Sequence, residues 1–230
     1  MDVSIIIPVF DERSVIAEVL AQVRDAARPW RAQVLVVDDG STDGTGEILE
    51  QLAAGGGFQL VRHPANMGKG TAIRTGLALA RGEVVLVQDA DLEYSPKDYG
   101  RLLAPFDDPA VQAVYGSRFL VRAWPSRMRV ANWVANKIFV AVTNSLYGAA
   151  MTDEGTAYKA FRRELILSLG VESTRFEFCP EVTSKILKRG IRIEEVPVEY
   201  RARGREDGKK PGFADGLAVL WELVRNRFRA

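Results

Sequence analysis

Cysteine and histidine are almost missing from this chain: Cys179 and His63 stand alone among 230 residues. A single cysteine excludes an intramolecular disulfide framework and a cysteine-rich zinc site, and it suits a reducing compartment. Long apolar runs are missing too. The run in "MDVSIIIPVFDER" is a few residues long with acids on both sides, which reads as a first strand and not a signal peptide. The segment "WVANKIFVAVTNSLYGAAM" is interrupted by Asn136, Lys137 and Asn144, which leaves it short of a membrane span. Two nucleotide-binding fingerprints are absent. "PVFDER" stands where a dinucleotide site needs G-x-G-x-x-G, and "PANMGKGT" has Gly70 after its lysine and no upstream glycine at the required place, so it is no P-loop. Acids are absent from residues 109–152, which nonetheless carry Arg118, Arg122, Arg127, Arg129 and Lys137.

The charge that is present is uneven. Residues 1–108 hold 10 Lys/Arg against 17 Asp/Glu, a net of −7, and residues 109–230 hold 21 against 13, a net of +8. The first half suits a bound cation and the second an anion. In "RFLVRAWPSRMRVANWVANKIF" the bases alternate with aromatic and apolar residues, a mixture suited to a membrane surface or an anionic lipid. Nucleic acid is not among the expected partners.

Apolar runs predict strands at "VSIIIPV", "QVLVVDD", "FQLVR", "EVVLVQD" and "VQAVYGS". Between them lie helical patterns: residues 13–27, a helix capped by Thr42-Asp43, "GKGTAIRTGLALARG", and "SPKDYGRLLAPF" with Ser95 as cap and Pro96 in its first turn. Short unbroken strands alternating with helices predict a mainly parallel sheet flanked by helices on both faces. Beyond residue 118 longer helical segments, with strands at "TAYKAF" and "IRIEEVPVEYR", predict an appended acceptor-side helical region. Ligands of such sheets bind outside the carboxyl ends of the strands. The polar clusters 8–12, 38–42 and 89–93 all fall there, and the helix beginning at Gly68 would add backbone N–H groups near an incoming phosphate. In "VVLVQDADLEYSP" three carboxylates, Asp89, Asp91 and Glu93, alternate at the mouth of a strand. Like charges a few ångströms apart disfavour ionisation, so the cluster points to a hard divalent cation.

Taken in order and spacing, "IIIPVFDE", "VVDDGSTDGT", "NMGKGTAIRTG" and "VVLVQDADLEYSP" resemble the nucleotide-sugar half of a family 2 glycosyltransferase. "YGSRF", "TDEGTAYKAFRRE" and the later "FEFCPEVTSKILKRGIRIEEVPVEYRARGREDGKK" are similar to dolichol-phosphate mannose synthases and other polyprenyl-phosphate glycosyltransferases. The resemblance implies a single domain of GT-A type over residues 1–230, with a nucleotide-sugar and metal-binding half (1–117) and an acceptor-binding half (118–230). It implies inverting transfer of a hexose, mannose favoured, from a nucleoside-diphosphate sugar such as GDP-mannose or UDP-glucose to a polyprenyl or dolichyl phosphate. By resemblance, Pro8, Phe10, Glu12, Asp39, Asp89 and Ala90 bind the nucleotide sugar. Asp89 and Asp91 hold Mg2+ or Mn2+, with Glu93 where relatives often have glutamine, and Asp91, Arg118 and Arg129 are the expected catalytic residues.

An acceptor phosphate needs cations, for which Arg118, Arg129, Arg203 and Lys209 are the candidates, because arginine binds phosphate oxygens in a bidentate way. A sugar-hydroxyl acceptor, the alternative, would need a base, and Asp153 is the candidate by resemblance to glycan-forming relatives. A signalling module that binds nucleotide without catalysis is a more remote alternative. Its acid pair should follow the first strand, whereas Asp38-Asp39 follow the second. Many relatives continue into transmembrane helices, so the expected location is the cytoplasmic membrane face, peripherally bound, with any further anchoring left to a separate membrane partner. His63 reads as a surface side chain, Cys179 as a packing residue, and Trp221 as core or docking. Arg225, Arg227 and Arg229 complement a helix C-terminus or touch anionic lipid.

Overall fold

The computed structural model describes residues 1–122, 124, 128–202 and 213–228. Its elements are β1 (Asp2–Val9), α1 (Ile16–Ala27), β2 (Arg31–Asp38), α2 (Thr45–Ala54), β3 (Gln59–Arg62), α3 (Lys69–Leu79), β4 (Val84–Val87), α4 (Tyr99–Leu103), β5 (Ala113–Ser117), α5 (Val130–Tyr147), β6 (Lys159–Arg162), α6 (Arg163–Ser168), α7 (Phe178–Lys188), β7 (Ile193–Pro197) and α8 (Phe213–Phe228). Arg127, Arg203, Lys209 and Arg229 lie outside the described residues.

The strands form one sheet in the order β3-β2-β1-β4-β6-β5-β7. Every pairing is parallel except the two made by β6, which runs against both β4 and β5. The pleat divides each apolar run between two cores. Val3, Ile5, Ile7 and Val9 of β1 pack with Val84 and Leu86 of β4 under α1, α2 and α4. Ile6, Val85 and Val87 pack on the other face under α3, α6 and α7. Burying one such side chain stabilises by about 1.5–3 kcal/mol, and a one-residue slip would exchange the faces, so the register is firmly specified.

The reversed strand decides what reaches the mouth of the sheet. β1, β2 and β4 end there, and Lys159, the first residue of β6, pairs with Val87, the last of β4. Residues just before β6 therefore arrive beside residues just after β4. The expected helix over "SPKDYGRLLAPF" is broken into a 3-10 turn, the short α4 and a second 3-10 turn, and Ser95 Oγ accepts from the Lys97 N–H as the expected cap.

Candidate active site

The loops after β1 and β2 are tied to each other. Asp11 Oδ1 accepts from the Thr42 N–H at 2.7 Å, Ser41 Oγ accepts from the Asp11 N–H at 3.0 Å, and Thr45 Oγ1 accepts from the Glu12 N–H at 2.9 Å. Asp11 takes φ 54°, a left-handed conformation uncommon outside glycine, so this turn is held by its bonds and not by preference. Pro8 lies at the end of β1 against Val37, and Phe10 is 40% exposed at the opening.

Asp39 differs from the expectation of a carboxylate presented to base or ribose. It is almost fully buried, with Oδ1 accepting from the Met67 N–H at 3.0 Å and Oδ2 from the Gly68 N–H at 2.7 Å. His63 Nδ1 lies 2.7 Å from Asp39 Oδ1, and His63 Nε2 lies 3.0 Å from Thr75 Oγ1. His63 is thus no surface side chain: it is 8% exposed and links Asp39 to α3. The Asp39 carboxylate fixes the backbone leading into α3.

That entry is closed to phosphate. The Thr71 N–H donates to the Thr174 carbonyl at 3.0 Å, and a Cβ on Gly68 or Gly70 would overlap backbone atoms of residues 173–174. The expected anion site at this helix N-terminus is therefore occupied by the loop before α7. That loop is itself held by Glu181, whose carboxylate accepts from the N–H groups of Glu172 and Ser173 and pairs with Lys185 at 2.6 Å.

What α3 does present is Lys69. Its Nζ lies 2.6 Å from Asp89 Oδ1 and 2.8 Å from Oδ2, with hydrogen-bond geometry only to Oδ2. Asp89 Oδ1 is buried without a hydrogen-bond donor. Burial pulls the Lys69 ammonium towards neutrality, but the Asp89 charge outweighs it and holds the group above its ordinary value. Ala90 is buried, Asp91 Oδ1 accepts from the Glu93 N–H at 3.0 Å, and Leu92 between them takes φ 58°. Glu93 Oε2 accepts from the Tyr200 hydroxyl at 3.0 Å. Among the described residues no group of three or more His, Cys, Asp or Glu side chains is placed to hold a metal alone.

Arg118 and Asp153 form the second centre. Arg118 Nε lies 2.7 Å from Asp153 Oδ2 and Nη2 lies 2.6 Å from Oδ1, while the Arg118 N–H also donates to Oδ2 at 3.0 Å. The Asp153 side chain is 0% exposed and that of Arg118 10%. This corrects two expectations: Asp153 has both oxygens engaged and is no free base, and Arg118 spends its guanidinium on Asp153 and is no free phosphate ligand. Burial would lower the Arg118 pKa, but the Asp153 charge overcomes this and raises it. Around the pair, Glu195 of β7 accepts from the N–H groups of Thr152 and Asp153, and Asn136 Oδ1 of α5 accepts from the Gly155 N–H. The Arg118 Cζ lies 5.2 Å from the Tyr200 ring centroid, so Tyr200 touches both the pair and Glu93. Arg129 is exposed at the N-cap of α5.

Sequence reasoning missed the partners Lys69, His63 and Tyr200. "GKG" was visible, but nothing in one sequence shows which carboxylate a lysine twenty residues away will meet.

Acids at the ends of β1, β2 and β4, with one reversed strand beside them, are the arrangement of a GT-A nucleotide-sugar glycosyltransferase. Solved structures agree on the fold: glucosyl-3-phosphoglycerate synthase from Mycobacterium tuberculosis, in complex with Mn2+, uridine diphosphate and phosphoglyceric acid, superposes with a TM-score of 0.75 at 22% identity, over 98% of this chain and 78% of that one. The family model for glycosyl transferase family 2 matches residues 4–170, and the chain belongs to that family. Among curated relatives, polyprenol monophosphomannose synthase of Mycolicibacterium smegmatis is 32% identical over 86% of this chain and 77% of its own length. Undecaprenyl-phosphate 4-deoxy-4-formamido-L-arabinose transferase of Pseudomonas fluorescens is 32% identical over 96% of this chain and 63% of its own.

Proposed function

We propose that this glycosyltransferase moves a hexose, mannose favoured, from a nucleoside-diphosphate sugar to a polyprenyl phosphate at a membrane surface, with inversion. The observation that carries this reading is the Arg118–Asp153 pair. A sugar hydroxyl needs a carboxylate to take its proton, and Asp153 has both oxygens engaged by Arg118. A phosphate monoester, whose second ionisation lies near pH ~6, is already a nucleophilic dianion at neutral pH and needs none. The two relatives named above are, by their names, a synthase of polyprenol monophosphomannose and an undecaprenyl-phosphate sugar transferase, which supports the same acceptor class.

On the donor side, Pro8, Phe10 and Glu12 flank the nucleotide, and Asp39 acts by fixing the 67–68 backbone. Asp89 and Asp91 would hold Mg2+ or Mn2+ with the donor diphosphate. The fit rests on the chemistry of the donor set, two carboxylates two positions apart just after β4, suited to a hard ion that takes its remaining ligands from phosphate and water. Such an ion neutralises charge that grows on the departing diphosphate. Glu93 stays with Tyr200. On the acceptor side Arg129, with Arg203 and Lys209, positions the lipid phosphate, while Arg118 keeps Asp153 occupied.

Membrane contact is supported by two helices that leave apolar stripes outside. The buried residues of α5 are the polar Asn136 and Thr143, whereas Val130, Val134 and Ile138 are exposed at four-residue spacing. On α8, Leu223 and Asn226 face the protein, and Leu217, Trp221 at 65% and Phe228 at 78% are exposed, with Arg225 and Arg227 beside them. Apolar stripes flanked by cations suit an interface helix. Among the described residues no helix is long and apolar enough to cross a membrane.

The test is incubation with a panel of nucleotide sugars and a short polyprenyl phosphate, followed by identification of the lipid product. A sugar-phosphate-lipid diester is expected. Transfer to a sugar hydroxyl, with the lipid phosphate untouched, overturns the reading.

A further inference from the structure

The carboxylate that opens the Asp89–Asp91 motif already has a cation beside it, and that cation belongs to the chain. Lys69 Nζ lies within 2.8 Å of both Asp89 oxygens, and the two side chains are 22% and 17% exposed. The lysine is aimed by a rigid base. Asp39 accepts from the N–H groups of Met67 and Gly68 just before it, the 173–174 backbone closes over Gly68 and Gly70 on either side, and α3 begins at Lys69 itself. With its backbone clamped, only the four-carbon stem is free to move.

A partly buried ion pair is stronger than one in water. A divalent ion arriving alone at Asp89 must break that pair and then sit beside a displaced ammonium of like charge. A nucleoside diphosphate changes the balance, because its anionic oxygens give the displaced ammonium a partner. We infer that Lys69 is a resident cation of the site that makes metal binding conditional on the donor: it competes with a free divalent ion for Asp89 and yields only when a diphosphate enters with the metal. This rests on Asp89 and Asp91 being the metal site. The consequence is that metal and donor load together, and the empty enzyme is not held as a metal complex.

Equilibrium dialysis of Mn2+ against excess protein, with and without GDP or UDP, tests this without any turnover. The proteins are wild type, Lys69→Met, Lys69→Gln, Lys69→Arg and Asp91→Asn, each checked for a native circular dichroism spectrum. The neutral variants are expected to retain Mn2+ alone about tenfold more tightly than wild type, the size of removing one close opposing charge. Lys69→Arg, which keeps the charge, should behave as wild type, and the tightening that nucleotide confers should shrink only in the neutral variants. Folded Lys69→Met and Lys69→Gln proteins that bind Mn2+ no better than wild type without nucleotide overturn the inference. A different result marks failure of the metal site itself: wild type retaining no Mn2+ even with nucleotide, or Asp91→Asn retaining as much as wild type, overturns both.

Discussion

Asp39, Asp43 and Asp89 each hold partners from other elements, so the donor crevice is a mesh of short polar links, whereas α5 buries Asn136 and Thr143 and leaves Val130, Val134 and Ile138 outside. Under the proposed function the two regions solve different problems. A small polyanion is selected by fixed charges and N–H groups, which must be in place before it arrives because ordering them on binding would cost affinity. An apolar chain in a bilayer needs a surface and little else, so contiguous exposed apolar area is what such a region keeps.

The contrast is broken most severely at the proposed metal motif. Asp91→Asn should lower sugar transfer roughly 10³-fold, several kcal/mol of lost charge stabilisation at ~1.4 kcal/mol per decade, while the far-ultraviolet circular dichroism stays native. A variant that keeps near-normal turnover in the presence of chelator would remove the donor side of the comparison altogether.

Next in size is the Arg118–Asp153 pair. Removing one partner of a buried pair leaves the other uncompensated, so Asp153→Ala should cost about 3–5 kcal/mol in denaturant unfolding, and the double variant Arg118→Met with Asp153→Leu should cost less than either single change. For Asp153→Asn, transfer per folded molecule at saturating donor should stay within about tenfold of wild type, a loss smaller than removing a general base. An Asp153→Asn enzyme that folds and binds both substrates but does not turn over would convert the pair from scaffold to base and sink the phosphate-acceptor reading.

Membrane contact comes third. Trp221→Ala alone should weaken co-sedimentation with anionic liposomes by roughly tenfold to a hundredfold, from the ~1.5–3 kcal/mol that burial of one large apolar side chain contributes. Added salt should weaken the wild type further by screening its arginines. Unchanged sedimentation would mean that these stripes face something other than lipid.

The smallest effect sharpens the donor side. Glu181 is pushed up by burial, but Lys185 and the N–H groups of Glu172 and Ser173 outweigh this, and its carboxyl titrates below the ordinary 4.5. A depressed folded value means the stabilisation is complete above about pH 4.5 and is lost as pH falls through the folded value. Glu181→Gln should therefore flatten the stability-against-pH curve in that acidic window and leave its shape near neutrality unchanged, as measured by thermal unfolding.

Much of the fold is legible before any coordinates, because strands such as "SIIIPV" and "VVLV" are unbroken apolar runs and the acids fall where such runs end. The direction of β6 is not, since "KAFR" is as apolar whichever way it runs. At the site the acids were visible and their partners were not: Lys69 meets Asp89 across 20 positions and Arg118 meets Asp153 across 35. Residue type predicts the need for a counter-charge, and only the fold selects which one. Trp221 shows the same limit, since its spacing with Leu217 and Val224 marks an apolar stripe but not whether that stripe turns inward or out.

The reversal of β6 also bears on how such an enzyme could diversify. β5 runs to the mouth and ends at Ser117, β6 starts there at Lys159, and the Gly116 N–H donates to the Tyr158 carbonyl at 2.8 Å. The described residues between 118 and 158, including Arg118, α5 and Asp153, thus leave and rejoin the sheet at neighbouring points at the same end of two adjacent strands. The two ends of this segment fix only where it joins the sheet, so a change of its length would rethread no strand, although its contacts with Glu195 and Leu223 would have to be kept or replaced. A lineage could trade one acceptor for another by rewriting this cassette while the acids after β1, β2 and β4 stay in register.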